Sequence, residues 1–111
     1  MPKYMVVGSY TAESWAAMIR EPGDRSAVAR QACEALGGSL ESFYWAFGPD
    51  DWLAIADLPD DGTAGAVSVA VASAGAVHGV RTIRLLTMDE GHAMLQRAKG
   101  VAAGYRRPGS S

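Results

Sequence analysis

Two neighbouring segments with strand character, residues 39–47 and 52–58, carry apolar side chains on both of their faces. Strand alternation sets Phe43, Trp45 and Phe47 opposite Leu40, Tyr44 and Ala46, and sets Leu53 and Ile55 opposite Trp52, Ala54 and Ala56. An antiparallel sheet with one face in water alternates apolar and polar residues. Leaving such aromatic side chains exposed forgoes several kcal/mol, at about 25 cal/mol per Å² of apolar surface. We therefore expect both faces of this sheet to be covered.

The order of the remaining segments predicts the fold that holds this sheet. Residues 3–10 are typical of a strand, and Thr11 starts a helix that Pro22-Gly23 interrupts, Asp24 restarts and Gly37-Gly38 ends. The two strands with apolar faces form a hairpin through the turn at 48–51. Helical spacing follows at 63–74, then a loop at 75–79, a fourth strand at 80–88 and a short last helix through Lys99. This β-α-β-β-α-β order predicts an α+β fold of the ferredoxin-like type.

The ferredoxin-like fold leaves one face of its sheet bare. Its four-stranded antiparallel sheet carries the helices on one face only. We expect a second copy of the chain to cover the other face by two-fold symmetry. Asp in place of Trp45 or Ile55 is then predicted to dissociate the homodimer if those residues line the shared face. The alternative is that the short C-terminal helix folds over it. The domain is placed at residues 1–98 and a C-terminal tail at 99–111.

Composition argues against several classes of function. The chain has 111 residues and a formal charge of −2, so it lacks the basic surplus on which nucleic-acid binding depends. Cys33 is its single cysteine, which fits a reducing compartment. No signal-peptide pattern precedes the first strand, and the uncharged stretch 62–80 is too weakly hydrophobic for a membrane span. We therefore expect a soluble cytoplasmic protein that binds neither nucleic acid nor membrane.

The sequence lacks the strong motifs of metal and cofactor chemistry. It has no CxxC pair, no HExxH, no GxSxG, no P-loop and no dinucleotide-binding glycine run. His78, His92 and Cys33 are too few for a structural zinc site within one chain. We expect neither a metal nor a cofactor. Asp50 and Asp51 could bind a hard cation or act as an acid–base pair, but aspartates also favour turns because they bond nearby amides.

Four runs of the sequence resemble the GYD family of small bacterial proteins. They are Ala35-Leu36-Gly37-Gly38, Phe43-Tyr44-Trp45, Gly48-Pro49-Asp50-Asp51 and Val80-Arg81-Thr82, within roughly residues 3–92. The resemblance implies a dimeric α+β barrel, in which two sheets pack together. The Gly-Tyr-Asp turn that names the family has Gly48 and Asp51 at its ends here, with Asp50 in place of the tyrosine. Any reaction that needs that phenol cannot use the same group in this chain.

Aromatic and charged residues near the strand ends make up the candidate site. In the dimeric α+β barrel enzymes that the chain resembles, a pocket between helices and sheet binds small aromatic molecules. By that resemblance we expect Tyr10, Trp15 and Tyr44 to line a cleft between the first helix and the sheet, with His78 converging on it. Arg81 needs a carboxylate on an apolar sheet, either Asp57 or Asp51, or else it forms an anion-binding corner with His78. The predicted ligand-binding residues are Tyr10, Trp15, Tyr44, Asp51, His78 and Arg81.

Three functions stay open from the sequence. The favoured one is a homodimer that binds a small aromatic or anionic molecule without catalysis, because an aromatic cleft is predicted without a catalytic constellation. The second is a cofactor-independent enzyme of the monooxygenase or isomerase kind, with a tyrosine, His78 or Asp51 as acid or base. The third is a structural dimer that acts through a protein partner.

Overall fold

A computed structural model describes residues 1–109 of the chain. In that range the strands are β1 (Lys3–Tyr10), β2 (Ser39–Trp45), β3 (Trp52–Asp57) and β4 (Val77–Leu85), and the helices are α1 (Ala12–Arg20), α2 (Arg25–Ala35), α3 (Asp61–Ser73) and α4 (Met88–Ala102). The strands form one antiparallel sheet in the order β2-β3-β1-β4. The predicted α+β fold of ferredoxin-like type is therefore confirmed.

Local capping explains where the helices begin and end. The Thr11 side chain accepts a hydrogen bond from the Ser14 amide and starts α1. Pro22 and Gly23 separate α1 from α2, and Asp24 caps the second helix by accepting from the Ser26 amide, 2.9 Å from nitrogen to oxygen. Gly37, with φ of +80°, follows the end of α2 in the left-handed conformation that glycine adopts without strain. The predicted interruption and stop are both confirmed.

Several predicted boundaries are wrong by a few residues. The fourth strand begins at Val77 rather than 80, because Gly79, with φ of +64°, lies within the strand at an irregularity in its pairing with β1. It ends at Leu85 rather than 88, because Thr87 caps the helix that follows. Strand β2 ends at Trp45, short of the predicted Phe47. The last helix continues to Ala102, three residues beyond the predicted end at Lys99 and four residues into the predicted tail.

The helix-facing side of the sheet holds the core. A shift in register between Leu40 and Ser42 brings Leu40 and Phe43 to the same face, opposite Ala56 and Ala54 of β3. The predicted faces of the second strand, with Leu40 opposite Phe43, are wrong for this reason. The buried side chains of this core are Tyr4, Val6, Tyr10, Leu40, Trp52, Ala54, Ala56 and Leu58 from the sheet side, and Cys33 and Ala64 from the helices.

The opposite side of the sheet, which we call the outer face, is apolar in its centre. Pairing of the strands sets Val7, Leu53 and Tyr44 in one row and Ile83, Met5 and Ile55 in the next. Lys3 at one end binds Glu41 and Asp57, and these two hydrogen bonds raise the pKa of its ammonium group. At the other end Arg81 pairs with Asp50. On this face Val7 is buried, Met5, Leu53 and Ile55 are half-buried, and Tyr44 is exposed.

Helix α4 extends away from the rest of the domain. The Cα radius of gyration is 18.2 Å, whereas a compact domain of this length typically has a radius of gyration of about 13 Å. The longest dimension of the molecule is 64 Å. Met94, Leu95 and Val101 on α4 are exposed. The alternative in which the C-terminal helix covers its own sheet is therefore wrong. Within residues 1–109, no helix has both the length and the apolar character needed to cross a membrane.

Gly38 lies where β2 begins and approaches the backbone of β3. A Cβ atom added there would lie 2.2 Å from the carbonyl oxygen of Asp57. We expect Gly38→Ala to lower the free energy of unfolding by about 3 kcal/mol, the upper end of ordinary overpacking, because backbone rather than a flexible side chain must move. Gly65→Ala in α3 is the control. Its Cβ meets open space, and removing a helical glycine should raise stability by about 0.5–1 kcal/mol. Urea unfolding measures both; a G38A variant as stable as the wild type would contradict the close approach.

Candidate functional site

A cavity of about 140 Å³ lies between the sheet and helices α2 and α3. Strands β1, β2 and β3 form its floor, and the two helices form its walls. The lining side chains on the sheet include Val6, Tyr10, Phe43, Trp52 and Ala54, and those on the helices include Ala29, Ala32, Cys33, Val67 and Val71. The expected cleft beside the first helix is therefore displaced: no residue of α1 lines this cavity.

Small side chains on facing elements leave this space empty. Ala54 and Ala56 project from β3 toward α2, where Ala29 and Ala32 occupy the lining positions. Protein interiors are normally packed about as densely as organic crystals, so opposing alanines leave room that larger residues would fill. The cavity is thus encoded by the sequence itself, through alanines placed opposite one another on a strand and a helix.

The entrance to the cavity lies along α2. Val28 is half exposed, and the lining residues Arg25 and Ala32 are also exposed, whereas Cys33 on the same helix is buried. Arg25 is the one charged residue among the described residues that line the cavity. A ligand entering here therefore meets a guanidinium at the rim and apolar side chains further in.

Trp52 supplies a hydrogen-bond donor that has no acceptor within residues 1–109. Its side chain lines the cavity and is 5% exposed, and its Nε1–H is buried without a partner. Most buried polar groups in folded proteins are paired, and leaving one unpaired costs about 1–3 kcal/mol. The indole is held against β1 because Gly8 has no side chain; a Cβ there would lie 2.7 Å from the Trp52 ring.

Aromatic rings form a continuous row beside the cavity. Trp52 stacks against Phe43 at 6.1 Å between centroids and lies 6.4 Å from the ring of Tyr10. Tyr10 in turn meets Trp15 edge to face at 5.0 Å, and Trp15 meets Trp45 at 5.9 Å. Such offset and edge-on arrangements are the favoured ones for aromatic pairs. The row fixes the orientation of the Trp52 ring and therefore limits the acceptors that its Nε1–H can reach.

Cys33 is the only thiol in the chain and lines the cavity. Burial raises the pKa of this thiol, with a smaller contribution from the negative charge of Glu34. A raised pKa keeps the group as a neutral thiol at pH 7, which is the poorly nucleophilic form. Cys33 thus contributes apolar surface to the wall.

The six residues predicted to bind a ligand do not converge on one cleft. Tyr10 and Trp15 lie on the helix-facing side, and of the six only Tyr10 lines the cavity. Tyr44 is 62% exposed and pairs with Leu53 on the outer face. His78 pairs with Ser9 and is exposed, also on that face. A role in ligand binding stays a prediction for each of these residues.

The predicted charged pairs are replaced by different ones. Arg81 pairs with Asp50, whereas Asp57 pairs with Lys3. Asp51 instead holds the turn to β1: its carboxylate accepts from the Tyr10 amide at 2.9 Å, and its own amide donates to the Gly8 carbonyl at 2.9 Å. Asp51 thus has the structural role that is common for an aspartate in a turn, which is to bond nearby backbone groups. Among residues 1–109, no group of three or more His, Cys, Asp or Glu side chains is placed to hold a metal ion.

Sequence reasoning missed the residues that matter most for the cavity. The sequence predicts Trp52 and Ala54 only as members of one strand face. The available signal is that Trp52, Ala54 and Ala56 recur at every second position of β3, which places a large ring and two small side chains on the same face. That pattern becomes informative only when α2 is known to cross β3 at these alanines.

Comparison with known proteins identifies a single family. A family model described as GYD domain matches residues 4–95, from the start of β1 into α4. No curated protein and no solved structure matched the chain. The match includes β3, α2 and α3, so the whole cavity lies within the matched region.

Proposed function

The chain belongs to the GYD domain family, and we propose that it forms a homodimer in which each copy binds a small aromatic molecule without converting it. The observation that carries the binding proposal is the apolar cavity, with the unpaired indole N–H of Trp52 buried in a side chain that lines it. An engineered cavity of about 150 Å³ lined by apolar side chains binds benzene. A space of about 140 Å³ therefore suits a single ring with few substituents.

Two polar groups define the substituents that the cavity favours. The Nε1–H of Trp52 lacks an acceptor within residues 1–109, so a carbonyl or ether oxygen on the ligand would satisfy it. Arg25 at the entrance favours a carboxylate that stays near solvent. Both features fit aromatic aldehydes, ketones and acids better than plain hydrocarbons.

Binding without catalysis is supported by the chemistry of the lining. Most of the lining side chains are aliphatic or aromatic hydrocarbon, and the raised pKa of Cys33 disfavours its nucleophilic form. General acid–base catalysis needs a titratable group within hydrogen-bond reach of the reacting atom. His78 and Asp51 do not line the cavity, whereas Tyr10, a third candidate for that role, does.

The homodimer is supported by the outer face. Its central residues Met5, Leu53 and Ile55 are apolar, and its charged residues Lys3 and Arg81 already have carboxylate partners within the same chain. Covering this face therefore leaves no unpaired charge in a dry interface. A second copy presents the same neutral apolar surface, and two-fold symmetry matches the surface to itself.

The binding proposal is tested with benzaldehyde and toluene, which are close in size but differ in the oxygen acceptor. Both should raise the thermal midpoint, because a ligand that binds only the native state stabilises it. Benzaldehyde should bind more tightly. Trp52→Phe keeps an aromatic ring but removes the donor, so it should weaken benzaldehyde binding about tenfold and leave toluene nearly unchanged.

Benzoate and Arg25→Gln provide the matched arm for the charged rim. Benzoate should bind the wild type and lose affinity in R25Q, whereas toluene should not respond to that change. If none of the three compounds shifts the midpoint at millimolar concentration, the binding proposal is contradicted and a structural dimer is favoured. Chemical conversion of a bound compound, followed by chromatography, would instead favour an enzyme.

A further inference from the structure

The surface of α4 carries an apolar stripe that no other part of residues 1–109 covers. Helical periodicity places Met94, Ala98 and Val101 on one side, and Tyr105, beyond the end of the helix, lines the same surface depression. Val101 and Tyr105 are each 68% exposed, and Met94 is half exposed. Gln96 lies on the opposite side of the helix, where it contacts His92. An amphipathic helix of this kind normally buries its apolar stripe against another element.

The outer face alone has a smaller area than the surface that each partner of a stable dimer usually buries. Four strands about 4.8 Å apart and six to nine residues long make a flat face of roughly 500 Å². Stable interfaces bury about 800 Å² on each partner. Helix α4 has 15 residues, so it is about 22 Å long and offers a contact strip of roughly 200 Å². Docking each α4 on the other copy buries both its stripe and the surface under it, which closes most of this gap.

An exposed aromatic tip lies at the corner of the sheet diagonally opposite α4. Strand β4 forms one edge, and its last residue, Leu85, lies at the end where Lys3 pairs with Asp57. Strand β2 forms the other edge, and Phe47 follows its last residue at the opposite end of the sheet. Phe47 is fully exposed and Tyr44 beside it largely so. We call Tyr44, Phe47 and the turn 48–51 the aromatic tip.

A two-fold axis along the other diagonal of the sheet brings the α4 corner of one copy onto the aromatic-tip corner of the second copy. When the outer faces of two copies meet around that axis, the corner where α4 leaves one copy lies beside the aromatic tip of the second copy. The strand order makes this axis possible, because it places α4 and the aromatic tip on opposite edges and at opposite ends of the sheet. Each dimer then has two identical contacts of this kind.

Charge favours the same arrangement. Residues 1–87 contain ten Asp or Glu and six Lys or Arg, a net charge of −4, whereas residues 88–111 contain two and four, a net charge of +2. The basic residues of the C-terminal part, Arg97, Lys99, Arg106 and Arg107, follow the acidic start of α4. The turn of the aromatic tip contains Asp50, which pairs with Arg81, and Asp51, whose carboxylate accepts from an amide and has no cationic partner within residues 1–109. Opposite charge across an interface speeds and orients association.

From these observations we infer that α4 is exchanged between two copies of the chain, each helix packing its apolar stripe on the aromatic tip of the other copy. This inference rests on the proposed homodimer. The basic residues around 97–107 then have a role in the assembly, next to the acidic turn of the second copy.

Cross-linking between two single-cysteine chains tests the exchange directly. In a Cys33→Ser background, one chain carries Phe47→Cys and an affinity tag, and a co-expressed chain carries Val101→Cys without a tag. A short bismaleimide should link the two chains efficiently. Phe47→Cys with Gln96→Cys, on the opposite side of α4, is the matched control and should give much less product. Val101→Cys expressed alone should not link to itself, because the two α4 helices lie at different corners.

Sedimentation of the same samples separates failure of the inference from failure of the dimer. A dimer in which the Phe47→Cys chain does not link to the Val101→Cys chain overturns the exchange and leaves the homodimer standing. A monomer at micromolar concentration overturns both. Efficient product from Val101→Cys alone overturns the exchange in favour of pairing between the two α4 helices.

Discussion

Ile55→Asp is expected to convert the homodimer into monomers at micromolar concentration. Ile55 occupies the centre of the outer face, where it pairs with Met5 and Met5 pairs with Ile83. A carboxylate there would be buried at the interface without a basic partner, since Lys3 and Arg81 at the two ends already have their own. Burying an unpaired charge costs several kcal/mol, and two-fold symmetry introduces it twice. The dissociation constant should rise by at least about 100-fold.

The matched control is Val69→Asp, which also replaces a β-branched residue but at an exposed position on α3, away from the outer face. It should leave the dimer intact. Sedimentation velocity measures the assembly, and circular dichroism checks that both variants fold. A wild-type monomer, or an I55D variant that dimerises like the wild type, would sink the proposed interface. The variant Trp45→Asp does not test this face, because Trp45 lies on the helix-facing side against Trp15.

Features that depend on neighbours in the sequence could be predicted. Pro22 and Gly23 break the first helical segment whatever surrounds them, because one lacks an amide donor and the other loosens the backbone. The caps at Thr11 and Asp24 and the stop at Gly37 follow the same logic. Together with the strand pattern, these signals were enough for the element order and hence the fold.

Features that depend on pairing between strands could not be predicted. A one-residue irregularity reverses which side chains face the core, since the side-chain period of a strand is two. The irregularity after Leu40 brings Leu40 and Phe43 together, and the one near Gly79 lengthens β4 toward its start. Neither position carries a sequence signal that separates it from an ordinary strand residue or loop glycine.

The candidate site was missed for a related reason. Aromatic residues drew attention to Tyr10, Trp15 and Tyr44, but a cavity forms where large side chains are absent. The order of elements places Tyr44 and Tyr10 near the same end of the sheet. It does not show that their side chains lie on opposite faces. The alanines that leave the space open, Ala29 and Ala54, are the commonest kind of helix and strand filler, so each is uninformative until both are seen together.

Ala29→Phe should abolish ligand binding by occupying the cavity. Ala29 lies on α2, lines the cavity and packs against the core cluster around Tyr4 and Leu58. A phenyl ring matches the benzene that a cavity of about 150 Å³ can hold, so little of the 140 Å³ would remain for a ligand. Benzaldehyde and toluene should both lose at least about 100-fold in affinity, because steric exclusion does not depend on the oxygen acceptor that distinguishes them.

Stability distinguishes a filled cavity from a damaged fold. Removing cavity volume is favourable by about 24 cal/mol per Å³, so an A29F variant whose ring enters the cavity should unfold no more easily than the wild type, and its midpoint should stop responding to ligand. Ala27→Phe, on the exposed side of the same helix, adds the same ring outside the cavity and should leave binding unchanged. Benzaldehyde binding that persists in a stable A29F variant would place the ligand elsewhere, with the outer face and its exposed Tyr44 as the next surface to test.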